Sequence, residues 1–540
     1  METRRKFLKG SAGVAGLFAA SPSSRIAANP NFPNPESAIK KNPRLIYNDD
    51  GNSVAFIPHR FPMKVEELTD MVDQLVGTQV DRFVYCLVVP RVFLHDTKVG
   101  ERAWELINGQ YSSSFDFRRA ENARHLVEAG HDPVHVLCQR AHKQGLQYFV
   151  SQRMNDAHFA YSSEGPEKNL WTGTFWHQNP EVRIGGNRKH YLKHLFDFSY
   201  EKVHEFHLGI IEETCQRYDI DGFELDFMRH PFFFKPEEAR QKAPIMTEFV
   251  RKVRRRMLAI GKEKGRKLEL QVLVPRTLKA GLESGLDINT WVEENLVDLI
   301  VPKHFILFNM DVPVEEFLRV TSGTSIKVAP CLEQRMNVSD EKFRAAASRY
   351  WQAGVDSLYL YNFFNHRPHP LCQEDRKVLQ EIGDPESIKL SDKHYFVMAT
   401  STKSGRSGSH DLADEAKQLP RTLDTRAEGH AVSLIIGDEL KAAANSRIIK
   451  VIRLKLGVPG ITPEIDEWDV YLNGELIPHS QQECEADPVA FRERWIEIDL
   501  ELGPYPRCGK NEIRFFLRKR NQLVAAELAL TDVELLVEYR

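Results

Sequence analysis

The chain has 540 residues, more than one ordinary domain, and 42% hydrophobic with 28% charged residues is the composition of a globular protein with a large core. A net charge of -3 gives no reason to expect nucleic acid or an anionic membrane surface as a partner. No apolar run reaches the ~18 residues that a membrane-spanning helix needs, so no integral membrane segment is expected.

The amino terminus predicts an export signal. The pair Arg4-Arg5 is followed by Phe7-Leu8 and by a weakly apolar, Gly- and Ala-rich run from Gly10 to Ala20. This pattern resembles a twin-arginine signal peptide, which implies export of the folded chain by the twin-arginine machinery to the periplasm or the exterior of a bacterium. We assign residues 1–28 to this signal and residues 29–42, in a stretch rich in Ser, Asn and Pro, to a linker.

Residues 43–385 predict a (β/α)8 TIM barrel. Short apolar strands alternate with amphipathic helices, which favours parallel pairing with right-handed crossovers. An open doubly wound sheet is the alternative, and it is disfavoured because no Gly-rich phosphate turn follows the first strand. The predicted strands are Arg44–Tyr47, Arg82–Leu87, Gln147–Ser151, Gly222–Asp226, Leu268–Val274, Leu299–Pro302, Lys327–Pro330 and Ser357–Tyr361. The predicted helices are Val65–Val76, Glu201–Arg217, Thr247–Lys262 and Glu341–Ala353.

The carboxyl ends of the predicted strands are polar. In a barrel of this kind the active site lies at those ends, so we predict a polar pocket there. The candidate substrate-binding residues at the strand ends are Asp49, Arg153, Asn155, Asp156, His158, Arg229, His230, Arg276, His304 and Asn362.

The long loop after the third predicted strand is aromatic. It carries Trp171 and Trp176, which we predict to bind substrate. Sugar rings have apolar faces that stack on aromatic side chains and polar rims that need hydrogen-bonding groups, so aromatics beside polar residues favour a carbohydrate. The alternative for each aromatic residue is a small local core under the loop.

The fourth predicted strand delivers two carboxylates to one face. Because side chains alternate along a strand, Glu224 and Asp226 share a face with Gly222, while Phe223 and Leu225 lie on the opposite, apolar face. Buried carboxylates are costly unless they have partners or do chemistry. The alternative to a catalytic role is a structural ion pair, with Arg229 or another base.

Two related patterns match this region. The segment Asp221–Asp226, followed by Arg229-His230, resembles the fourth-strand motif of the α-amylase family, with Asp226 at the position of the nucleophile. Glu224 stands where that family has arginine. The longer segment Phe196–Asp226 is similar to the glycosyl-hydrolase-like family ten barrels. The resemblance implies a glycoside hydrolase-like barrel, and it does not specify a substrate.

A glycosidase needs a second carboxyl group. The two carboxyl groups flank the scissile bond, about 5 Å apart for retention and further apart for inversion. Glu224 and Asp226 project from one wall, so the second group is expected from another strand. The α-amylase family has a Glu after its fifth strand, where this chain has Arg276 and no Glu. We predict that Asp226 is the nucleophile or base and that Glu333 or Glu224 is the acid, with Asp156 as another candidate and no cofactor.

Residues 386–540 predict a β-sandwich. Apolar and polar residues alternate there, and Asn473-Gly474 is a strong signal for a tight hairpin. Trp468–Glu475 and Gly509–Phe515 resemble segments of galactose-binding-like sandwiches, which implies a carbohydrate-binding-like domain. Cys484 and Cys508 are candidates for a disulfide. The predicted strands are Tyr395–Ala399, Val432–Ile436, Ile448–Leu456, Trp468–Leu472, Trp495–Leu500, Ile513–Leu517 and Val533–Val537.

The sequence therefore predicts an exported glycoside hydrolase that acts on an oligo- or polysaccharide. One alternative is a barrel that binds a saccharide without cleaving it, which the missing Glu after the fifth strand favours. Another is a metal-dependent hydrolase or isomerase with His158, His230 and His304 as ligands, although no HxH or HExxH spacing supports it. The sugar, the linkage, the stereochemical outcome and the oligomeric state are not predicted.

Overall fold

The computed structural model describes residues 42–51, 61–87, 91–105, 111, 113–158, 160, 170–186, 191–304, 308–333, 338–363, 370–398, 418–486 and 494–540. The predicted signal peptide and residues 29–41 of the predicted linker lie outside these ranges. No helix within them is long and apolar enough to cross a membrane.

The first part of the chain alternates strands and helices. Its strands are β1 (Leu45–Asp49), β2 (Val80–Cys86), β3 (Val92–Phe93), β4 (Glu101–Arg102), β5 (Gln147–Arg153), β6 (Gly222–Asp226), β7 (Glu269–Pro275), β8 (Leu299–Lys303), β9 (Lys327–Val328), β10 (Cys331–Glu333) and β11 (Leu358–Tyr361). Its helices are α1 (Val65–Asp73), α2 (Ser114–Glu128), α3 (Pro133–Lys143), α4 (Gly173–Gln178), α5 (Glu201–Arg217), α6 (Pro236–Lys264), α7 (Leu278–Glu283), α8 (Ile288–Glu293), α9 (Val314–Thr321), α10 (Asp340–Ala353) and α11 (Gln373–Glu381).

Nine of these strands form one sheet in the order β10-β11-β1-β2-β5-β6-β7-β8-β9, and all neighbouring pairs are parallel. Among the described residues, the short strands β3 and β4 pair with each other and with no other strand. Each of the eight predicted strands overlaps an observed strand. The seventh, predicted as Lys327–Pro330, overlaps β9, and the short strand β10 that begins at Cys331 was not predicted. The prediction of a parallel α/β fold is confirmed. Because only Ala329-Pro330 separates the two strands at opposite ends of the sheet order, the sheet must curl back on itself.

Helix α6 is longer than the predicted Thr247–Lys262. It starts with Pro236 in its first turn, where proline's missing N–H costs nothing, and it ends at Gly265, whose φ of 66° is the left-handed conformation that closes many helices. The additional turns at its amino end come directly after the loop that follows β6, so the helix fixes the position of the end of that loop.

The two faces of the sheet bury different groups, as the alternation in β6 predicts. Phe223, Leu225 and Phe227 belong to the large apolar core shared with the helices. The opposite face carries a second, smaller apolar cluster, to which most strands of the sheet contribute. Its members are Ile46, Val84, Phe149, Met228, Leu273, Leu299, Val301, Ala329, Cys331, Tyr359 and Tyr361. The buried polar side chains of β6 lie among these residues.

Gly222 gives this inner face a tight contact that a larger residue would break. A Cβ atom there would lie 2.3 Å from the ring of Phe149 and 2.4 Å from the carbonyl oxygen of Glu269. We expect Gly222→Ala to lower the free energy of unfolding by about 2 kcal/mol or more, measured by urea denaturation, because the Glu269 backbone cannot rotate away. Gly209→Ala on α5 is the matched control, since its neighbour is the flexible, exposed side chain of Val99. A Gly222→Ala protein as stable as wild type would contradict this packing.

The remaining strands form separate antiparallel sheets. These strands are β12 (Lys393–Met398), β13 (Arg421–Leu423), β14 (His430–Ile436), β15 (Ile449–Gly457), β16 (Glu467–Leu472), β17 (Glu475–Leu476), β18 (Gln482–Ala486), β19 (Arg494–Asp499), β20 (Gly509–Lys519), β21 (Leu528–Leu530) and β22 (Asp532–Tyr539), with helix α12 (Leu440–Asn445) between β14 and β15. Their sheet orders are β12-β22-β15-β19-β18, β14-β20-β16-β17 and β13-β21.

The strand predictions for this region are confirmed in position, and the tight hairpin is too. Asn473 and Gly474 both have positive φ and connect β16 to β17. Side chains along β14 alternate strictly between buried and half-buried, which gives the sheet one core face. Cys484 and Cys508 are both free thiols, so the predicted disulfide is wrong.

Candidate active site

Asp226, the last residue of β6, is the centre of the candidate site. Its Oδ1 accepts a hydrogen bond from the backbone N–H of Met228 at 2.7 Å, and the hydroxyl of Tyr361 lies 3.5 Å from its Oδ2. Only 1% of the residue is exposed. Burial raises the pKa of this carboxyl, while the positive charges of Lys303 and Arg153 oppose that rise. Asp226 is thus a buried acid whose charge is met by Lys303, Arg153 and the Met228 N–H, within the smaller apolar cluster of the inner face.

Glu224 lies on the same face of β6, two residues before Asp226 and therefore further from the carboxyl end of the strand. Tyr359 donates to its Oε2 at 2.8 Å, the amide of Gln271 donates to the same oxygen, and Asn48 lies 3.5 Å from Oε1. Arg82 donates to Gln271 Oε1 at 2.7 Å, and this fixes the Gln271 amide group with its N–H toward Glu224. Burial and the charge of Asp226 raise the pKa of Glu224 to about 7. Near neutral pH it is therefore a partly protonated acid, held by the wall of the sheet.

Lys303 brings a second carboxylate to the site. At the end of β8, its Nζ lies 2.8 Å from Glu333 Oε2 on β10, and both side chains are nearly fully buried. The same Nζ lies 3.9 Å from the centre of the Tyr361 ring. Burial lowers the pKa of Lys303, but the charges of Glu333 and Asp226 outweigh it and raise that pKa overall. Lys303 is therefore an ammonium ion that links Glu333 and Asp226 electrostatically.

Arg153 ties together two strand ends on the other side of Asp226. Its guanidinium lies 3.1 Å from Asp156 Oδ2 and 3.3 Å from Asp50 Oδ2. Asn362, whose φ of 53° is unusual for a non-glycine residue, donates to the same Asp50 oxygen at 3.1 Å. The structure thus brings Arg153, Asp156 and Asn362 together as predicted, with Asp50 in the place expected for Asp49.

Asp49 lies on the opposite face of β1. Its neighbour Asn48 reaches Glu224, so alternation turns Asp49 to the side of Tyr47, which belongs to the core under the helices. Burial and the charge of Asp50 raise the pKa of Asp49 to about 8. The position of Asp49 therefore does not support its predicted role in substrate binding.

His158 connects Asp156 to Arg229. Its Nδ1 lies 2.6 Å from Asp156 Oδ1, and its Nε2 contacts a guanidinium nitrogen of Arg229. Since arginine can only donate, Nε2 must accept, which places the ring proton on Nδ1. Burial lowers the pKa of His158, in agreement with a neutral ring. The His158 ring, held by Asp156, therefore orients the side chain of Arg229.

Asp156, His158 and His230 can hold a metal ion by spacing alone. One ligand atom from each lies within 4.8 Å of the others. A divalent cation there would stand beside the guanidinium groups of Arg153 and Arg229, which both already contact members of the trio. Like charges at this range in a buried site are strongly unfavourable. His304, the third predicted ligand, is elsewhere and contacts Asp311.

Several predicted substrate-binding residues are used internally. Asn155 donates to the carbonyls of Phe196 and Phe232 at 2.8 Å and accepts from the N–H of Phe196, so it positions loops. Trp176 is 2% exposed, and its indole N–H donates to the carbonyl of His194. Trp176 therefore fits the alternative given for the aromatic residues, a small local core under the long loop, better than a role in substrate binding.

Trp171 and Arg276 also have protein partners. Trp171 is fully buried, and its Nε1 donates to Asp116 at 2.8 Å. Arg276 lies 3.2 Å from Asp311, which also contacts His304, so these two predicted residues form one cluster around an acid that the sequence did not single out. The side chain of Asp311 is 20% exposed, more than the other acids of the site.

Comparison with known proteins gives a loose structural likeness. No protein-family profile matches the chain, and no curated protein sequence matches it. Similar solved structures include a cycloisomaltooligosaccharide glucanotransferase from Paenibacillus sp., at 12% identity over 92% of this chain and 58% of that one, with a TM-score of 0.33. Another is the GH36 α-galactosidase AgaA from Geobacillus stearothermophilus, at 11% identity over 93% of this chain and 56% of that one, with a TM-score of 0.36.

A third similar structure is the maltogenic α-amylase AmyB from Thermotoga neapolitana, at 9% identity over 90% of this chain and 98% of that one, with a TM-score of 0.37. The chain spans little more than half the length of the first two proteins.

Proposed function

We propose that the nine-stranded sheet closes into a (β/α)8 barrel in which β9 and β10 are two halves of one strand. Ala329 N–H donates to the carbonyl of Ile300 on β8, and Tyr359 N–H on β11 donates to the carbonyl of Pro330, so hydrogen bonding continues across the two-residue break. The inner apolar cluster, with members from β1 through β11, supports the same closure. We also propose that the antiparallel sheets form the predicted β-sandwich from residue 386 onward.

We propose that the protein hydrolyses glycosidic bonds of an oligo- or polysaccharide at the carboxyl ends of this barrel. The observation that carries the proposal is that Asp226 and Glu333, two buried carboxylates on different strands, both interact electrostatically with Lys303, which contacts Glu333. A pair of acids from separate walls is what glycosidic cleavage needs, and a buried acid with a raised pKa, such as Asp226, favours catalysis over scaffolding.

In this mechanism Asp226 is the nucleophile or the base. Met228 N–H and the charges of Lys303 and Arg153 oppose the rise in its pKa that burial causes. Glu333 is the proton donor to the leaving oxygen. Because Lys303 contacts Glu333 in the free protein, a substrate has to displace this contact before Glu333 can take up a proton. Glu224 is too enclosed by Tyr359 and Gln271 to reach a substrate, so Glu333 is the better acid of the two.

Activity on a panel of polysaccharides and aryl glycosides tests the proposal, and Glu333→Ala sharpens it. We expect this variant to lose about 10²–10⁴-fold in kcat/KM on unactivated glycosides, because the leaving group is no longer protonated. It should retain most activity on dinitrophenyl glycosides, whose leaving group needs no proton. The readout is the release of reducing ends or dinitrophenolate.

Glu293→Ala is the control for this measurement, since Glu293 is exposed at the end of α8, outside the site. Equal losses by Glu333→Ala on both kinds of substrate would contradict the assignment of Glu333 as the acid.

The second candidate is a barrel that binds a saccharide without cleaving it. The Lys303–Glu333 ion pair favours it, because a carboxylate next to an ammonium ion is a poor proton donor at rest. Saccharide binding to the wild-type protein without any release of reducing ends would decide for this function. Export by the twin-arginine pathway stays a prediction from residues 1–28.

A further inference from the structure

Helix α2 carries a buried arginine whose donors are unused. Only 1% of Arg119 is exposed, and its Nε and Nη2 have no hydrogen-bond partner in the part of the chain that the structure describes. Burial lowers the pKa of Arg119 to about 10, so it is still a cation at neutral pH. Buried donors without acceptors are unfavourable, and such groups call for a ligand or water.

Trp171 holds this guanidinium in place. The central carbon of the Arg119 guanidinium lies 4.0 Å from the Trp171 ring centre, and the Trp171 indole N–H is fixed by Asp116 on the same helix as Arg119. Stacking on a fixed ring restrains the plane of the guanidinium. Trp171, predicted as a platform for sugar, is therefore a platform for Arg119.

Arg119 lies beside the polar group formed by Asp50, Arg153 and Asn362. The charges of Asp50 and Arg153 both act on Arg119. Arg153 is the direct neighbour of Asp226 across β5 and β6, so this group borders the proposed catalytic site. Within the described residues, Arg153 Nε and Asn362 Oδ1 are also buried without hydrogen-bond partners. Three side chains on this side of Asp226 therefore carry unused hydrogen-bonding atoms.

The unused donors favour an anion. Arg119 and Arg153 repel one another. The charge of Asp116 also acts on Arg119, but this carboxylate already accepts from the Trp171 indole N–H, and the Asp50 carboxylate is already shared by Arg153 and Asn362. Three guanidinium nitrogens from these two residues remain without acceptors, and a further oxyanion would accept from them and reduce the repulsion. A neutral hydroxyl would meet one donor and leave the repulsion unchanged.

We propose that Arg119, together with Arg153, binds an anionic substituent, a carboxylate or a sulfate, of the saccharide that enters the Asp226 site. The substrate class is therefore an acidic saccharide, such as one that contains uronic acid or sulfated sugar. That the ligand is a saccharide rests on the proposed function, whereas the anion is inferred from the arginines alone.

Calorimetric titration of the full chain with D-glucuronate, D-glucose and inorganic sulfate tests this. Wild type should bind glucuronate at least about 10-fold more tightly than glucose, which corresponds to one charge-assisted interaction. Arg119→Gln should remove that preference. Arg118→Gln is the matched control, since Arg118 is the exposed neighbour on the same helix, and it should bind like wild type. Tight sulfate binding that is lost in Arg119→Gln would identify a sulfated sugar as the source of the anion.

Arg119→Lys keeps the result interpretable if Arg119→Gln does not fold. Lysine retains the charge without the two-pronged donor geometry, so glucuronate affinity should fall while glucose affinity stays constant. The proposal is overturned if wild type binds neither anion, if it binds glucose as tightly as glucuronate, or if both Arg119 variants bind glucuronate like wild type. Because binding is measured without turnover, an inactive protein that prefers anions would overturn only the hydrolase proposal.

Discussion

Asp226→Asn is expected to lower kcat at least about 10³-fold on any saccharide that the wild-type protein cleaves, because the amide can neither attack the anomeric carbon nor deprotonate water. The variant should fold. Asparagine is isosteric with Asp226, its oxygen can still accept from Met228 N–H, and burial of a neutral side chain costs less than burial of the carboxylate. Substrate affinity should stay within a few fold.

Initial rates and thermal denaturation of the same preparations check this expectation. Asp219→Asn is a matched control, since Asp219 precedes the same strand but its side chain is largely exposed. An Asp226→Asn protein with wild-type rates would remove Asp226 from the chemistry, and with it the proposed mechanism.

Glu224→Gln is expected to make the stability of the fold much less dependent on pH. The folded state holds the pKa of Glu224 at about 7, above the usual value of 4.5, so the folded protein keeps a proton that the unfolded chain releases. For an acid whose pKa is higher in the folded state, wild-type stability is highest at a pH below the pKa of the unfolded state. It falls as the pH rises through the interval from about 4.5 to 7. The glutamine variant lacks this loss.

The gain in unfolding free energy of Glu224→Gln over wild type should therefore increase by about 2–3 kcal/mol between pH 5 and pH 8, measured by urea denaturation. The site can accommodate the new amide, because the Oδ1 of Asn48 has no partner among the described residues and can accept from it once the Asn48 amide turns over. Glu483→Gln, at an exposed position, is the control and should show no such trend.

The same variant separates the two candidates for the acid. Glutamine mimics the protonated form of Glu224, so activity below pH 6 should stay within a few fold of wild type if Glu333 is the proton donor. A loss of about 10²-fold or more at pH 5 would instead make Glu224 the donor. A pH-independent stability difference would show that Glu224 is ionised in the fold.

The architecture followed from local patterns. Apolar runs of four to eight residues are buried on both faces of a parallel sheet, and this is why each predicted strand overlaps an observed one. The division of the seventh strand was not predictable, because it depends on Ala329 and Pro330 pairing with different neighbours on either side. The alternation in Phe223–Asp226 placed the two acids on the inner face, since period-two geometry is local.

The partners inside the site could not be predicted in the same way. Whether the inner-facing acid of the first strand was Asp49 or Asp50 depends on where the strand ends, and a shift of one residue reverses the face. Lys303 binds Glu333 across two strands, a contact that no single segment encodes. The regular spacing of Tyr359 and Tyr361 on β11 was a usable signal, because two hydroxyls two residues apart reach the two acids of β6.

Aromatic residues gave the least reliable predictions. The loop that contains Trp171 and Trp176 has the composition expected of a sugar-binding loop. Each indole N–H nevertheless has a protein acceptor, and each ring contacts an arginine. A large side chain that closes a local core and one that stacks on a ligand have the same sequence signature. Arg119 was missed because it lies on a helix, away from the strand ends.

The pairing of β1 with β11 has a consequence for biosynthesis. Leu45, near the beginning of the sheet, hydrogen-bonds in register with the Leu358 region, which leaves the ribosome much later. Until then the first strand has an unsatisfied edge that can pair with any other extended chain, the usual route to aggregation. The nascent protein should therefore depend on a holding chaperone until β11 emerges, and truncation before residue 358 should yield insoluble product.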